Sequence, residues 1–383
     1  MDKDFVAGTY KRYPVTLTHG QGATLFDDTG KRYIDLGSGI AVNTFGAADE
    51  RWRAAVTAQL EKLQHSSNYY YTEPCARLAA QLCGRSGLKR VFFGNSGAEA
   101  NECCIKVARR WAFQTYGDES HNNIITLKNS FHGRTITTLS ATGQDAFHKE
   151  FGPFTPGFLY ASPEDPEEVR QLALENPCCA VMLELIQGEG GVVRLAPDYV
   201  RAVLDIARTH NLLVIVDEVQ TGNGRTGKLF AYEHYGFTPD IVSLAKGLAG
   251  GLPLGACLMG ERVQDVLDIG SHGSTFGGNP VACAGALSVV ERLNEALLAE
   301  VTAKGAYIRE ALAGLSGVTD VTGLGLMLGI ATTRDAHDVA AECLARGLLV
   351  LTAKDKVRLL PPLSITQEEL REGVAILREV LSV

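Results

Sequence analysis

Apolar positions recur along this chain in two rhythms. Short runs rich in β-branched and aromatic residues, at 90–93, 123–127, 180–183 and 212–216, are interrupted by few polar positions. That pattern predicts strands buried on both faces. Between them, stretches such as 97–115 and 197–210 carry apolar residues at helical spacing and predict amphipathic helices. Strand and helix alternate over roughly 45–275, the arrangement of a mostly parallel sheet covered by helices. The chain ends differ. Residues 22–36 predict a hairpin turning at Asp28-Thr29-Gly30. Residues 318–383 predict short strands (318–322, 326–330 and 357–360) around two helices. The expected organisation is an N-terminal segment, 1–45, joining a small α+β domain at 276–383, with a large domain over 46–275.

Composition narrows the partners. A net charge of −8 argues against a nucleic acid or an anionic membrane surface, which favour basic faces. No apolar run approaches the ~20 residues needed to span a bilayer, and the start Met1-Asp2-Lys3-Asp4 has no signal-like core after it, so a cytoplasmic enzyme is expected. Nine cysteines include the adjacent pairs Cys103-Cys104 and Cys178-Cys179 but no Cys-x-x-Cys; they are expected as reduced core residues, with no metal site.

Gly222-Asn223-Gly224-Arg225-Thr226-Gly227-Lys228 matches both a dinucleotide pattern and a P-loop. Leu229 stands where a P-loop needs Ser or Thr, and no clean helix follows, so a flexible loop is expected, with Arg225 as a solvated charge. The flanking residues say more. The 212–216 strand delivers Asp217 at its carboxyl end, where open α/β sheets place ligands. The apolar segment 240–245 ends in Lys246. Alone, Lys246 would read as a snorkelling side chain with its ammonium in water. With Asp217 it fits a Schiff-base lysine opposite an acid that holds a pyridine nitrogen protonated, Gln220 lying close enough to meet the ring oxygen. Gly94-Asn95-Ser96-Gly97-Ala98 is a strand end leading into a helix start, whose free N–H groups suit a phosphate; plain capping by Ser96 is the other reading.

At this point the chain resembles the class III (subgroup II) pyridoxal 5′-phosphate (PLP) aminotransferases, in particular their bacterial acetylornithine branch. The likeness runs from Gly22 to Pro362. It rests on Asn95-Ser96-Gly97-Ala98-Glu99-Ala100-Asn101, Phe131-His132-Gly133-Arg134-Thr135, Glu184-x-x-Gln187-Gly188-Glu189, Asp217-Glu218-Val219-Gln220-Thr221-Gly222 and Ser274-Thr275-Phe276-Gly277-Gly278-Asn279-Pro280. The resemblance implies a type I PLP fold: a large domain with a mainly parallel, seven-stranded-type sheet plus a small α+β domain from both chain ends. It implies that Lys246 carries PLP and moves the proton, Asp217 meets the pyridine nitrogen, Gln220 meets the ring hydroxyl, Ser96, Gly97 and Ala98 hold the phosphate, and Phe131 stacks on the ring. Thr275 would reach a partner subunit's phosphate, making a homodimer with shared sites. Arg134 would anchor a substrate carboxylate with Ser274 near the other end, and Glu184 with Arg358 would form a switchable ion pair. The implied reaction moves the terminal amino group of N2-acetylornithine to 2-oxoglutarate in arginine biosynthesis. Ornithine, succinylornithine, succinyldiaminopimelate and 4-aminobutyrate are the alternative donors. An NAD-dependent oxidoreductase on Gly222–Gly227 or a non-enzymatic relative are readings of other classes, the second disfavoured by the presence of Lys246, Asp217 and Arg134. His132 is expected as a structural histidine and Tyr69-Tyr70-Tyr71 as interface packing. Where the family usually carries histidines, this chain has Ala47-Ala48-Asp49-Glu50.

Overall fold

The computed structural model describes residues 2–382. Seven strands form the central sheet, in the order Arg90–Gly94, Gly255–Met259, Ile241–Leu244, Leu213–Asp217, Cys178–Leu183, Asn123–Leu127 and Phe158–Ala161. All run parallel except Gly255–Met259, which pairs antiparallel with both of its neighbours. Alternation along the strands explains why their sequences are apolar throughout. Leu213 and Ile215 face a core beneath the helix Gly97–Tyr116, together with Ile124, Met182 and Ile241. Val214 and Val216 face the opposite core with Ile125, Val181, Leu183 and Val242. With a side-chain period of two and both faces covered, no position is left for water. The helices Pro166–Glu175, Pro197–Thr209 and Pro280–Val290 contribute to that second core.

The chain ends meet. The N-terminal hairpin pairs Thr24–Asp27 with Arg32–Asp35, and the latter takes Leu348–Leu349 as a parallel neighbour. Beside it an antiparallel sheet orders Val318–Leu324, Met327–Thr332, Lys356–Leu359 and Leu351–Ala353, packed by the helices Ala336–Ala345 and Glu295–Leu312, while Gln367–Leu381 packs on Arg32–Asp35 and Leu348–Leu349. This is the type I architecture expected, with Phe158–Ala161 and the antiparallel Gly255–Met259 as strands the pattern did not reveal.

The glycine-rich segment corrects an expectation. It is neither flexible nor solvated: residues 222–227 are buried, and Arg225 is only 3% exposed. Its Nη1 donates to the carbonyls of Leu326 and Pro361, and Leu326 N donates back to the Arg225 carbonyl. Burial pushes the Arg225 pKa down to about 9, with Asp35 pulling it back up. A Cβ on Gly224 would meet Leu298 and one on Gly227 would meet Thr302, so these glycines let the backbone pack against the helix Glu295–Leu312. Seven of the nine cysteines are buried and none is in a disulfide; Cys104 and Cys257 touch at 3.5 Å. At the departure from the family pattern, Asp49 caps the helix Glu50–Leu60 and pairs with Arg292. Among the described residues no helix is long and apolar enough to cross a membrane.

Candidate active site

Five parallel strands end on one cavity. Arg90–Gly94 leads into Asn95 and Ser96, Asn123–Leu127 into the loop bearing Phe131, Cys178–Leu183 into Glu184, Leu213–Asp217 ends on Asp217, and Ile241–Leu244 leads to Lys246. The cavity holds about 430 Å³ and is lined by Ser96, Gly97, Ala98, Phe131, Arg134, Glu184, Asp217, Gln220 and Lys246 among others. Nine of the twelve expected site residues thus converge; Ser274, Thr275 and Arg358 lie outside the lining.

The helix Gly97–Tyr116 points its N-terminus into the cavity. Ser96 caps it by accepting from Glu99 N at 3.2 Å, and the Glu99 carboxylate reaches back to Asn95 N. Close backbone approach requires two glycines here. A Cβ on Gly255 would sit 2.2 Å from the Ser96 carbonyl, and one on Gly97 would sit 2.7 Å from Val219 Cγ1. With twenty residues behind it, this N-terminus presents free N–H groups and the positive dipole end to an anion.

Asp217 is 4% exposed. Its Oδ2 accepts from Asn101 Nδ2 and from His132 Nδ1, both at 2.8 Å, and its Oδ1 accepts from Val219 N at 3.0 Å. Because a carboxylate only accepts, the Nδ1 of His132 carries the proton in that contact. His132 Nε2 is buried without a hydrogen-bond partner. The histidine is structural in the sense expected, yet what it holds is the acid. Asn101 came with its motif and no role; it stands three residues inside the helix from Ala98, on the face turned to the cavity, which a helical spacing argument could have found.

Lys246 follows its strand in a left-handed backbone conformation, φ +46°, a strained state that functional sites store. Burial lowers its pKa; Glu189 pulls it up, Arg358 pushes it down, and Asp217 and Glu184 pull it up again. A lysine so depressed supplies neutral amine nearer neutral pH than an exposed one.

The expected ion pair between Glu184 and Arg358 is not the one formed. Arg358 Nη1 pairs with Glu189 Oε1 at 2.6 Å and also donates to Gln220 Oε1 at 3.2 Å, leaving its buried Nε unpartnered. Burial would raise the Glu189 pKa, but Arg358, joined by Lys246 and Gln220, outweighs it and the result is a lowered one. Glu184 accepts instead from Phe131 N at 2.7 Å and Gly188 N at 3.2 Å. Burial lifts its pKa to about 7, against His132 and with Asp217. The reason is positional: Glu184 directly follows a buried strand and stays at the sheet's end. Glu189 lies beyond the turn after Ile186–Gln187 and reaches the strand Lys356–Leu359.

Arg134 stands at the cavity with no ion pair or hydrogen bond among the described residues. Ser274 Oγ accepts from Asn95 Nδ2 at 3.2 Å, which ties its loop to the turn after Arg90–Gly94, while Thr275 is exposed. Tyr69, Tyr70 and Tyr71 are all strongly exposed on the single chain and so are not core aromatics.

These features suit a pyridine bearing a phosphate and an aldehyde. The set comprises an anion-binding helix start, a buried carboxylate with hydrogen-bond donors but, among the described residues, no arginine or lysine ion pair, and a strained, depressed lysine lining the same cavity.

The family model described as Aminotransferase class-III matches residues 5–381. An acetylornithine aminotransferase of Haemophilus ducreyi is 51% identical, over 100% of this chain and 98% of that one. Among solved structures, an ornithine aminotransferase of Toxoplasma gondii with PLP at partial occupancy in its active site superimposes with a TM-score of 0.94. It is 33% identical, and the match covers 100% of this chain and 93% of that one. An N-acetylornithine aminotransferase of Stenotrophomonas maltophilia gives a TM-score of 0.86 at 36% identity, covering 97% of each chain.

Proposed function

From a chain that belongs to the class III aminotransferase family and is a PLP-dependent aminotransferase, we propose that the terminal amino group of N2-acetyl-L-ornithine is its physiological cargo. The acceptor is 2-oxoglutarate, and the products are N-acetyl-L-glutamate 5-semialdehyde and L-glutamate, in the cytoplasmic synthesis of arginine by a homodimer. Support for the donor comes from the full-length likeness to the Haemophilus ducreyi enzyme.

PLP, when bound, supplies an electron sink for the carbon–hydrogen bond broken in the substrate. The chain does the rest. The Gly97–Tyr116 helix start, with Ser96, Gly97 and Ala98, holds the phosphate. Asp217, oriented by Asn101 and His132, keeps a proton on the pyridine nitrogen, and Gln220 is placed for the ring hydroxyl. Lys246 Nζ would take the proton from the substrate carbon and return it.

The observation that carries the reading is the contrast between two arginines. Arg134 is uncommitted, whereas Arg358 is held by Glu189. A donor with one free carboxylate needs a single open cation; the dicarboxylates 2-oxoglutarate and glutamate need a second. Glu189 hides that second cation until a dicarboxylate competes for it. The test is a donor profile on the purified yellow enzyme. N-acetylornithine should give the highest kcat/KM against ornithine, N-succinylornithine, succinyldiaminopimelate and 4-aminobutyrate. A higher value for any of the others would replace the proposed donor and leave the reaction class standing.

A further inference from the structure

We propose that Phe147 is a positioning residue for substrate carboxylates: its ring holds the Arg134 guanidinium in place of an ion pair, so that the guanidinium's donors stay open for the ligand. The inference rests on Arg134 as the carboxylate anchor.

The Arg134 guanidinium carbon lies 4.0 Å from the centre of the Phe147 ring and 5.5 Å from that of Phe131. The two rings meet edge to face, 5.8 Å apart at 78°, and together make an aromatic seat. Among the described residues no carboxylate comes within ion-pair distance of Arg134. The other two arginines of this region are spent: Arg358 on Glu189 and Gln220, and Arg225 on two carbonyls. A long cationic side chain without partners would wander among rotamers and would have to be ordered at each binding event. An ion pair would fix it, but would occupy the in-plane N–H fork that a carboxylate needs. An aromatic face fixes the cation and leaves those edges free.

The seat is itself anchored. Phe147 ends the short turn Asp145–Phe147, and its N–H donates to the Gln144 carbonyl at 3.0 Å. Gln144 Nε2 donates to the Ser130 carbonyl at 3.0 Å, immediately before Phe131. On the other side, His148 Nε2 meets the Leu139 carbonyl at 2.8 Å. The turn that bears Phe147 is thereby fastened to the segment that bears Phe131 and Arg134. Phe147 lies outside every motif on which the family resemblance rests.

The experiment uses the holoenzyme with Phe147→Leu, Phe147→Met, Phe147→Tyr, Arg134→Ala and the Arg134→Ala/Phe147→Leu double variant. KM for N-acetylornithine and for 2-oxoglutarate, and the Kd of glutarate read from the cofactor's absorbance, should each rise roughly 2- to 30-fold in Phe147→Leu, the range expected for losing a cation–π contact. Its kcat should stay within about twofold, and Phe147→Tyr should restore the low constants. In the Arg134→Ala background, Phe147→Leu should add nothing. Phe147→Met serves if the leucine variant fails to fold. Unchanged KM and Kd in Arg134→Ala would remove the anchor itself. A large effect of Arg134→Ala, with none from Phe147→Leu or an equal one in both backgrounds, would keep the anchor and overturn the positioning role.

Discussion

Asp217 sits in an interior that offers it three hydrogen bonds and, among the described residues, no arginine or lysine ion pair. Such a carboxylate keeps its affinity for a positive ring nitrogen, because no arginine or lysine ion pair among the described residues occupies it first. Replacing Asp217 with Asn keeps the shape and removes the charge. PLP should remain bound through its phosphate and Lys246, while kcat falls by about 10² to 10⁴, several kcal/mol of barrier. Absorbance for occupancy and steady-state rates for turnover separate the two; near-normal turnover with bound cofactor would mean another group serves the nitrogen. At this scale the sequence was most legible where chemistry forces a residue type. Lys246 and Asp217 stood out because a charged residue at the end of a buried apolar run is costly without a purpose. Phe147 was illegible, since its role depends on where a loop folds back. Arg225 was misread because a charged residue among glycines looks solvated until its two carbonyl partners are seen.

At the scale of elements, strand ends decide function. The strand Lys356–Leu359 brings Arg358 beside Glu189, so these two side chains form the ion pair that we propose masks the second cation. Single-turnover measurements of each half-reaction test this. Arg358→Ala should slow only the reaction with glutamate or 2-oxoglutarate, roughly 10- to 150-fold for one charged hydrogen bond. Glu189→Gln should make glutamate a better donor, whereas equal losses in both halves would leave Arg358 purely structural. A neighbouring element stores a different cost. Glu218, wholly buried after the strand Leu213–Asp217, accepts from Thr221 Oγ1 and Tyr232 N, and burial lifts its pKa to about 7. The folded state therefore binds its proton more tightly than the unfolded chain does. Its contribution to stability is favourable below the ordinary carboxylate range and is lost as pH rises towards about 7. Glu218→Gln, which keeps an acceptor for Tyr232 N, should raise Tm at pH 8 and much less at pH 5; a Tm gain equal at both would show that the charge is not the cost. The pattern located most central strands to within a residue or two, because two-sided burial makes them uniformly apolar. It missed Phe158–Ala161 and Gly255–Met259, which are set among glycines and prolines. It exchanged Glu184 for Glu189, as spacing along a motif does not say which side chain crosses to another sheet.

For the whole molecule, the single chain leaves a telling asymmetry. The loop carrying Thr275 is exposed and does not line its own cavity, and Tyr69, Tyr71, Ile269 and Phe276 are exposed nearby in sequence or in space without a covering element. A symmetric dimer would bury such a surface and let each Thr275 serve the other site. Complementation tests it. Lys246→Ala and Thr275→Asp should each be inactive. In a mixed dimer, however, the chain with intact Lys246 receives an intact Thr275 from its partner, so one site is whole. Unfolding and refolding the two together should recover activity that neither has alone; no recovery despite verified mixed dimers would assign each site to one chain. This level of organisation was legible in the sequence only through the family resemblance, because a residue that acts on a partner carries no local signature.

Every role proposed for this site depends on Lys246 bearing the cofactor where five strand ends meet. Reducing the purified yellow enzyme with borohydride, digesting it and mapping peptides by mass spectrometry tests it directly. Bleaching and a pyridoxyl-phosphate adduct on the peptide containing Lys246 alone are expected; an adduct on another lysine, or bleaching with none on Lys246, would contradict the assignment.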